Sequence, residues 1–230
     1  MVAFNLFSHI CRITKGLGRY FNLRKEWKRA WAQRRIRLLL FIGLCLVIPI
    51  LATLPLFFVQ IEARKGIQLN DFLLSHLPTF NLSVYIFLVI WGTGGLFLLR
   101  SISDPKLFIK FTWSYLIVSI FRVGTIYLVP LDPPKNIHEL ADPLTGVFYG
   151  HMIINKDLFF SGHTSILFLI FLCMPAKRDK RFAFGATVLV AIMLLIQHVH
   201  YTIDVLAAPF FTYFAYLLTT KYLQINDRTL

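Results

Sequence analysis

The sequence predicts an all-α, polytopic membrane protein: a bundle of six transmembrane helices preceded by an interfacial amphipathic helix. Three observations predict it. Of the 230 residues 57% are hydrophobic and only 15% charged, too few charges to coat a water-soluble domain of this size. Mean hydropathy is +0.66, with apolar residues in long unbroken runs and not in alternation. Six of those runs each approach the ~20 residues that cross a ~30 Å hydrocarbon core.

The first element is a basic, amphipathic cytoplasmic arm over residues 1–35. Phe4, Phe7, Ile10, Ile13, Leu17 and Tyr20 recur at helical spacing, with Arg12, Lys15 and Arg19 on other faces. Gly16 and Gly18 weaken that helix, and a partly disordered basic tail is the plain alternative. The long basic region and the length of the next apolar run argue against a cleaved signal peptide.

The six-helix catalytic domain spans residues 36–220, with apolar segments at about 36–59, 83–100, 107–130, 158–174, 182–199 and 203–220, and residues 221–230 form a short cytoplasmic tail. Pro49 and Pro55 in the first segment, and Gly92, Gly94 and Gly95 in the second, are compatible with membrane helices. The fifth and sixth segments nearly abut, so a tight turn around His200 must join them.

Charge sets the orientation. The net charge of +13 is concentrated in Arg24, Lys25, Lys28, Arg29, Arg34, Arg35 and Arg37, and again in Lys177, Arg178, Lys180 and Arg181. Both clusters flank apolar spans, where they would meet an anionic cytoplasmic leaflet. No nucleic-acid motif accompanies them, so the expected partner is the lipid bilayer and not nucleic acid. Both termini are then cytoplasmic. Residues 60–82, 131–157 and the turn at 198–203 fall on the outer side, whether periplasmic, extracellular or lumenal. Cys11, Cys45 and Cys173 are too scattered for a disulfide framework or a metal site.

Polar groups inside spans are costly and therefore informative. Ser161, Gly162 and His163 open the fourth span just after Asp157, and His200 and Asp204 open the sixth. Arg122 lies in the third span, about two helical turns short of the boundary at Pro130. Three helices thus bring ionisable groups to one depth near the outer surface. Asp204, four residues after His200, can hold one imidazole nitrogen and leave the other free as a nucleophile. His163 would protonate a departing oxygen and later withdraw a proton from an acceptor. Arg122 would stabilise charge on phosphoryl oxygens, and Gly162 would admit a close approach to the backbone.

Each group also has a plain reading. An interfacial histidine is commonly an anchor, and an arginine at this depth can snorkel. His198 with His200 forms a His-x-His pair, but that spacing suits metal ligation from a strand better than from a helix, so no metal is expected. His76, His138 and His151 have no evident role.

Taken together, Asp157-Leu-Phe-Phe-Ser161-Gly162-His163-Thr164 and His200-Tyr201-Thr202-Ile203-Asp204-Val205 resemble the two signature motifs of sphingomyelin synthases. These form a branch of the type-2 phosphatidic acid phosphatase superfamily. The second match extends to Ala208 and Thr212, and Arg122, Thr125, Tyr127 and Pro130 are similar to a looser third motif. The resemblance implies catalytic roles for His163, His200 and Asp204. It also implies phosphate binding around Arg122, Ser161 and Gly162, with Asp157, Thr164 and Tyr201 in support.

It further implies a site facing the lumen or exterior. There the histidine matching His200 attacks a phospholipid donor such as phosphatidylcholine, and the headgroup phosphate passes to a lipid-alcohol acceptor such as ceramide. No metal or organic cofactor takes part. A lipid phosphate phosphatase or phospholipase C-type hydrolase with the same site is the alternative, and a non-catalytic transporter or scaffold a third. Several positions depart from the superfamily pattern. Phe160 replaces a proline of the lipid phosphatases, Met193 and Leu194 replace a Ser-Arg pair, and a Lys-x6-Arg-Pro motif is absent. Asn155 and Lys156 replace the synthases' Cys-Gly, and Pro209 and Tyr213 stand in place of a tyrosine and an arginine.

Overall fold

The computed structural model describes residues 25–140 and 154–224. A helical stretch over 25–32 leads into α1 (Arg34–Ala63), followed by the short α2 (Phe72–His76), α3 (Ser83–Ser101), α4 (Pro105–Leu128), α5 (Gly162–Cys173), α6 (Lys177–Ile196) and α7 (Thr202–Leu223). Among the described residues there is no β-strand, only an isolated bridge between Ile67 and Leu131. Most of the expected amphipathic arm, residues 1–24, and the tail beyond 224 lie outside the described residues.

Local chemistry explains where helices begin. Asp104 caps α4 by accepting the N–H groups of Lys106 and Leu107, and Pro105 sits at a helix start, where its missing N–H costs nothing. Ser161 caps α5 through the N–H of Thr164, and Asp71 caps α2 through Leu73 and Leu74. α1 continues through Pro49 and Pro55.

α1, α3, α4 and α7 are long and apolar enough to cross a membrane. The sequence predicts six spans. The other two elements differ for physical reasons: α5 has only 12 residues, because the chain before it turns through left-handed backbone, and α6 opens on the charge run Lys177–Arg181. Large apolar side chains cover the outside, including Phe41, Leu56, Val84, Leu88, Leu99 and Phe210. A surface of that kind belongs to an integral membrane protein, because water would not tolerate it.

α5 is the centre of the bundle, packing on α3, α4, α6 and α7. Its sequence is apolar all round, and Leu167, Leu169 and Ile170 are buried accordingly. α1 packs on α4 at both ends, through Ile36 and Ile109 and again through Phe58, Ile61 and Ile126.

The two ends of the bundle differ in charge. At one end, Arg35 donates to the carbonyl of Leu223, Trp27 donates to that of Ile102, and Arg100 pairs with Asp179 at 2.7 Å. The basic clusters of residues 25–37 and 177–181 gather there. At the opposite end the loops are cross-tied. Ile67 exchanges backbone hydrogen bonds with Pro130 and Asp132, a contact so close that a Cβ on Gly66 would stand 2.4 Å from the carbonyl carbon of Leu131. Glu62, at the end of α1, accepts the N–H groups of both Asn155 and Lys156 at 2.6 Å, and Lys156 reaches Asp132 at 3.0 Å.

Candidate active site

The cross-tied end holds the residues singled out above. Leu158 and Phe160 anchor the approach to α5, both buried. Phe159 and Phe160 take left-handed backbone, with φ of 64° and 49°, a conformation costing roughly 1–2 kcal/mol for each residue with a Cβ. Phe160 recovers stability by stacking on Phe211 at 4.8 Å, with its ring beneath the Arg122 guanidinium at 5.6 Å. Its carbonyl accepts from Arg122 Nη1 at 2.6 Å, while Nη2 of the same arginine pairs with Asp157.

Arg122 therefore does not snorkel: its side chain is 14% exposed and its guanidinium crosses to the start of α5. It also lies directly on Gly162, where an added Cβ would stand 2.7 Å from Arg122 Cζ. The close approach that this glycine admits in the structure is that of the arginine.

His200 sits before α7, not within it, since Tyr201 is the N-cap. The pairing with Asp204 therefore arises from the turn at the helix start and not from helical i, i+4 geometry. Asp204 Oδ2 accepts the Tyr201 N–H at 3.0 Å and lies 3.5 Å from His200 Nδ1. Its Oδ1 receives no hydrogen bond among the described residues, although Asp204 is fully buried. A carboxylate there gains from the positive end of the helix dipole, and its proximity turns His200 Nε2 away from it. The Asp204 carbonyl accepts the Ser161 N–H at 3.0 Å, which locks the starts of α5 and α7 together.

A second carboxylate supports this turn. Asp71 accepts the Thr202 N–H at 2.6 Å and the Thr202 hydroxyl at 2.9 Å, besides capping α2. Burial pushes its pKa up, but the four hydrogen bonds from Thr202, Leu74 and Leu73 outweigh that and hold the carboxyl below its ordinary value. Tyr201 donates to the Asp132 carbonyl at 2.8 Å and accepts the Leu69 N–H at 3.1 Å. Residues 197–202 are thus held from several sides.

One cavity of about 350 Å³ is lined by Arg122, Asp157, Gly162, His163 and His200 together, with Asn155, Ser119 and Tyr115. His163 meets the edge of Phe87 with ring centroids 5.9 Å apart. Ser161, Thr164, Asp204 and Tyr201 do not line the cavity. Ser161 is occupied as a helix cap, Thr164 supplies the N–H it caps, and Asp204 reaches the cavity only through His200. His198 faces a different, outer cavity of about 610 Å³ with Asp71 and Tyr201, so the two histidines of His-x-His are separated.

Sequence reasoning passed over Glu62, Asp71, Tyr115 and Ser119. Glu62 carried a signal, being a lone acid at the end of an apolar run; Tyr115 and Ser119 also carried one, as hydroxyls on one helical face with Arg122.

Residues 156–221 match the family described as PAP2 superfamily C-terminal. This is the superfamily in which the motifs place their resemblance, and the match suggests phosphatase- or phosphotransferase-type chemistry on lipid phosphates. The matched stretch holds Asp157, His163, His200 and Asp204 but not Arg122. No curated protein matches the chain.

Proposed function

We propose that this protein is a membrane-embedded lipid phosphotransferase of sphingomyelin synthase-like type. It would move a phosphocholine- or phosphoethanolamine-type headgroup from a glycerophospholipid to a lipid alcohol such as ceramide. The observation that carries this reading is the single cavity shared by His163, His200 and Arg122, with apolar walls from α1 and α3 suited to lipid chains.

In the first step His200 Nε2 attacks phosphorus and the bond to the diacylglycerol oxygen breaks. His163 gives that oxygen a proton, and Asp204 stabilises the positive charge on the His200 ring. In the second step His163 takes the proton from the acceptor hydroxyl. The acceptor oxygen attacks phosphorus, and the P–N bond to His200 breaks. Arg122, fixed by Asp157 and the Phe160 carbonyl, uses two of its five donors there and turns others to the phosphoryl oxygens.

In this reading α5 and α6, with their flanking residues, complete six spans. The basic end lies in the cytoplasm, and the site opens to the outer side. Purified protein given labelled phosphatidylcholine or phosphatidylethanolamine, with and without ceramide, tests it. Transfer of label to ceramide, with little water-soluble phosphate product, is the expected result. Diacylglycerol released equally fast without acceptor would assign a hydrolase instead.

A further inference from the structure

Below the Arg122 guanidinium the cavity is almost wholly apolar. Leu54, Phe57 and Phe58 of α1 face Phe87, Ile90 and Trp91 of α3. The exceptions are Ser165 of α5, whose hydroxyl donates to the Ser161 carbonyl at 2.7 Å, and one face of α4. Ser119 lies about one turn, and Tyr115 about two turns, toward the membrane interior from Arg122, on the same side of the helix. Both line the cavity, and Ser119 is 7% exposed. Hydroxyls placed this deep are costly unless something polar meets them.

We propose that Tyr115 and Ser119 form a subsite that donates hydrogen bonds to the acyl carbonyl oxygens of the bound lipid, in register with a phosphate held at Arg122. This rests on the phosphotransferase reading above. The distances suit it. A phospholipid carries its linkage carbonyls a few ångströms below the phosphate, and one to two helical turns are about 5 to 10 Å. The carbonyls of an ester and of an amide present the same acceptor, so donor and acceptor lipids can use the subsite in turn. An ether linkage presents a much weaker acceptor.

The test uses the full chain with diacyl phosphatidylcholine and phosphatidylethanolamine and with their dialkyl ether analogues, ceramide being present throughout. Wild-type protein should favour the diacyl lipid mainly through KM. One net hydrogen bond is worth a factor of about 2 to 10. Tyr115→Phe and Ser119→Ala should each shrink that preference, and the double variant should bring it close to one. A diacyl preference retained in full by the double variant overturns the subsite while the transferase reading stands. No turnover of either lipid by wild-type protein overturns both.

Discussion

The guanidinium of Arg122 rests on the bare α-carbon of Gly162, so close that a methyl group there would stand 2.7 Å from Cζ and within 2.9 Å of both terminal nitrogens. Two helices meet in this contact, and so do two roles. The glycine opens the helix that carries His163, and the arginine supplies the only guanidinium that lines the cavity among the described residues. Gly162→Ala should therefore displace Arg122 and cut phospholipid turnover by about 10²- to 10³-fold, the range for losing a preorganised charge-stabilising donor. Gly185→Ala on α6 is the matched control, since a Cβ there meets nothing within 4 Å. Equal turnover in the two variants would mean that Arg122 does not act on the reacting group.

The 3.5 Å between His200 Nδ1 and Asp204 Oδ2 is long for a hydrogen bond. Such pairs often tighten only when substrate is bound. Asp204→Asn should lower turnover by roughly two to four orders of magnitude, by analogy with other oriented histidine–carboxylate pairs. His200→Ala should abolish both turnover and any acid-labile phosphoenzyme. A trapped phosphoenzyme that survives in His200→Ala would remove this histidine as the nucleophile.

Much of this was legible in the sequence, and what was not has physical causes. The spans at α1, α3, α4 and α7 follow from apolar length alone, which a bilayer imposes directly. Arg122, His163 and His200 stood out because charge and imidazole are rare in such segments. The roles of their neighbours were not readable. The motif suggests Ser161 as a phosphate ligand and Tyr201 as a supporting residue; in the structure the Ser161 hydroxyl is a helix cap and the Tyr201 hydroxyl ties two loops, a matter of local backbone that spacing does not encode. Nor does spacing reveal that His200 precedes its helix, so that Asp204 reaches it through a capping turn. Asp71 was hidden because its partner, Thr202, is distant in sequence.

Phe160 shows how a departure from a motif can be a structural requirement. Its φ of 49° lies outside the range of proline, which is fixed near −65°. The proline of lipid phosphatases therefore has no place in this turn. Phe160→Pro should reverse the turn, withdraw the carbonyl from Arg122 and unstack Phe211, with a stability loss of more than about 1 kcal/mol. Phe160→Gly keeps the left-handed backbone and forfeits only the ring, so its thermal midpoint in detergent should lie between those of wild type and Phe160→Pro. A proline variant as stable as wild type would mean that the left-handed turn is dispensable.

Asp71 gives the pH dependence. Its carboxyl is held below the ordinary value of 3.8 in the folded protein, so the folded state binds the proton less readily than the unfolded state. The resulting stabilisation is fully present above pH 3.8 and is lost as pH falls through the folded value. Asp71→Asn removes the charge while keeping one acceptor for the N–H groups of α2. At neutral pH this variant should melt below wild type, because the Thr202 N–H and hydroxyl at the start of α7 lose a charged partner. The gap between the two melting curves should narrow as pH falls below the ordinary value of 3.8 and through the lower folded value, where the wild-type carboxyl takes up its proton in the folded protein. A gap that stays constant down to pH 2 to 3 would trace the loss to the shape of the side chain and not to its charge. Turnover in Asp71→Asn should fall along with the stability of residues 197–202, since the same hydrogen bonds that hold Thr202 fix the approach to His200.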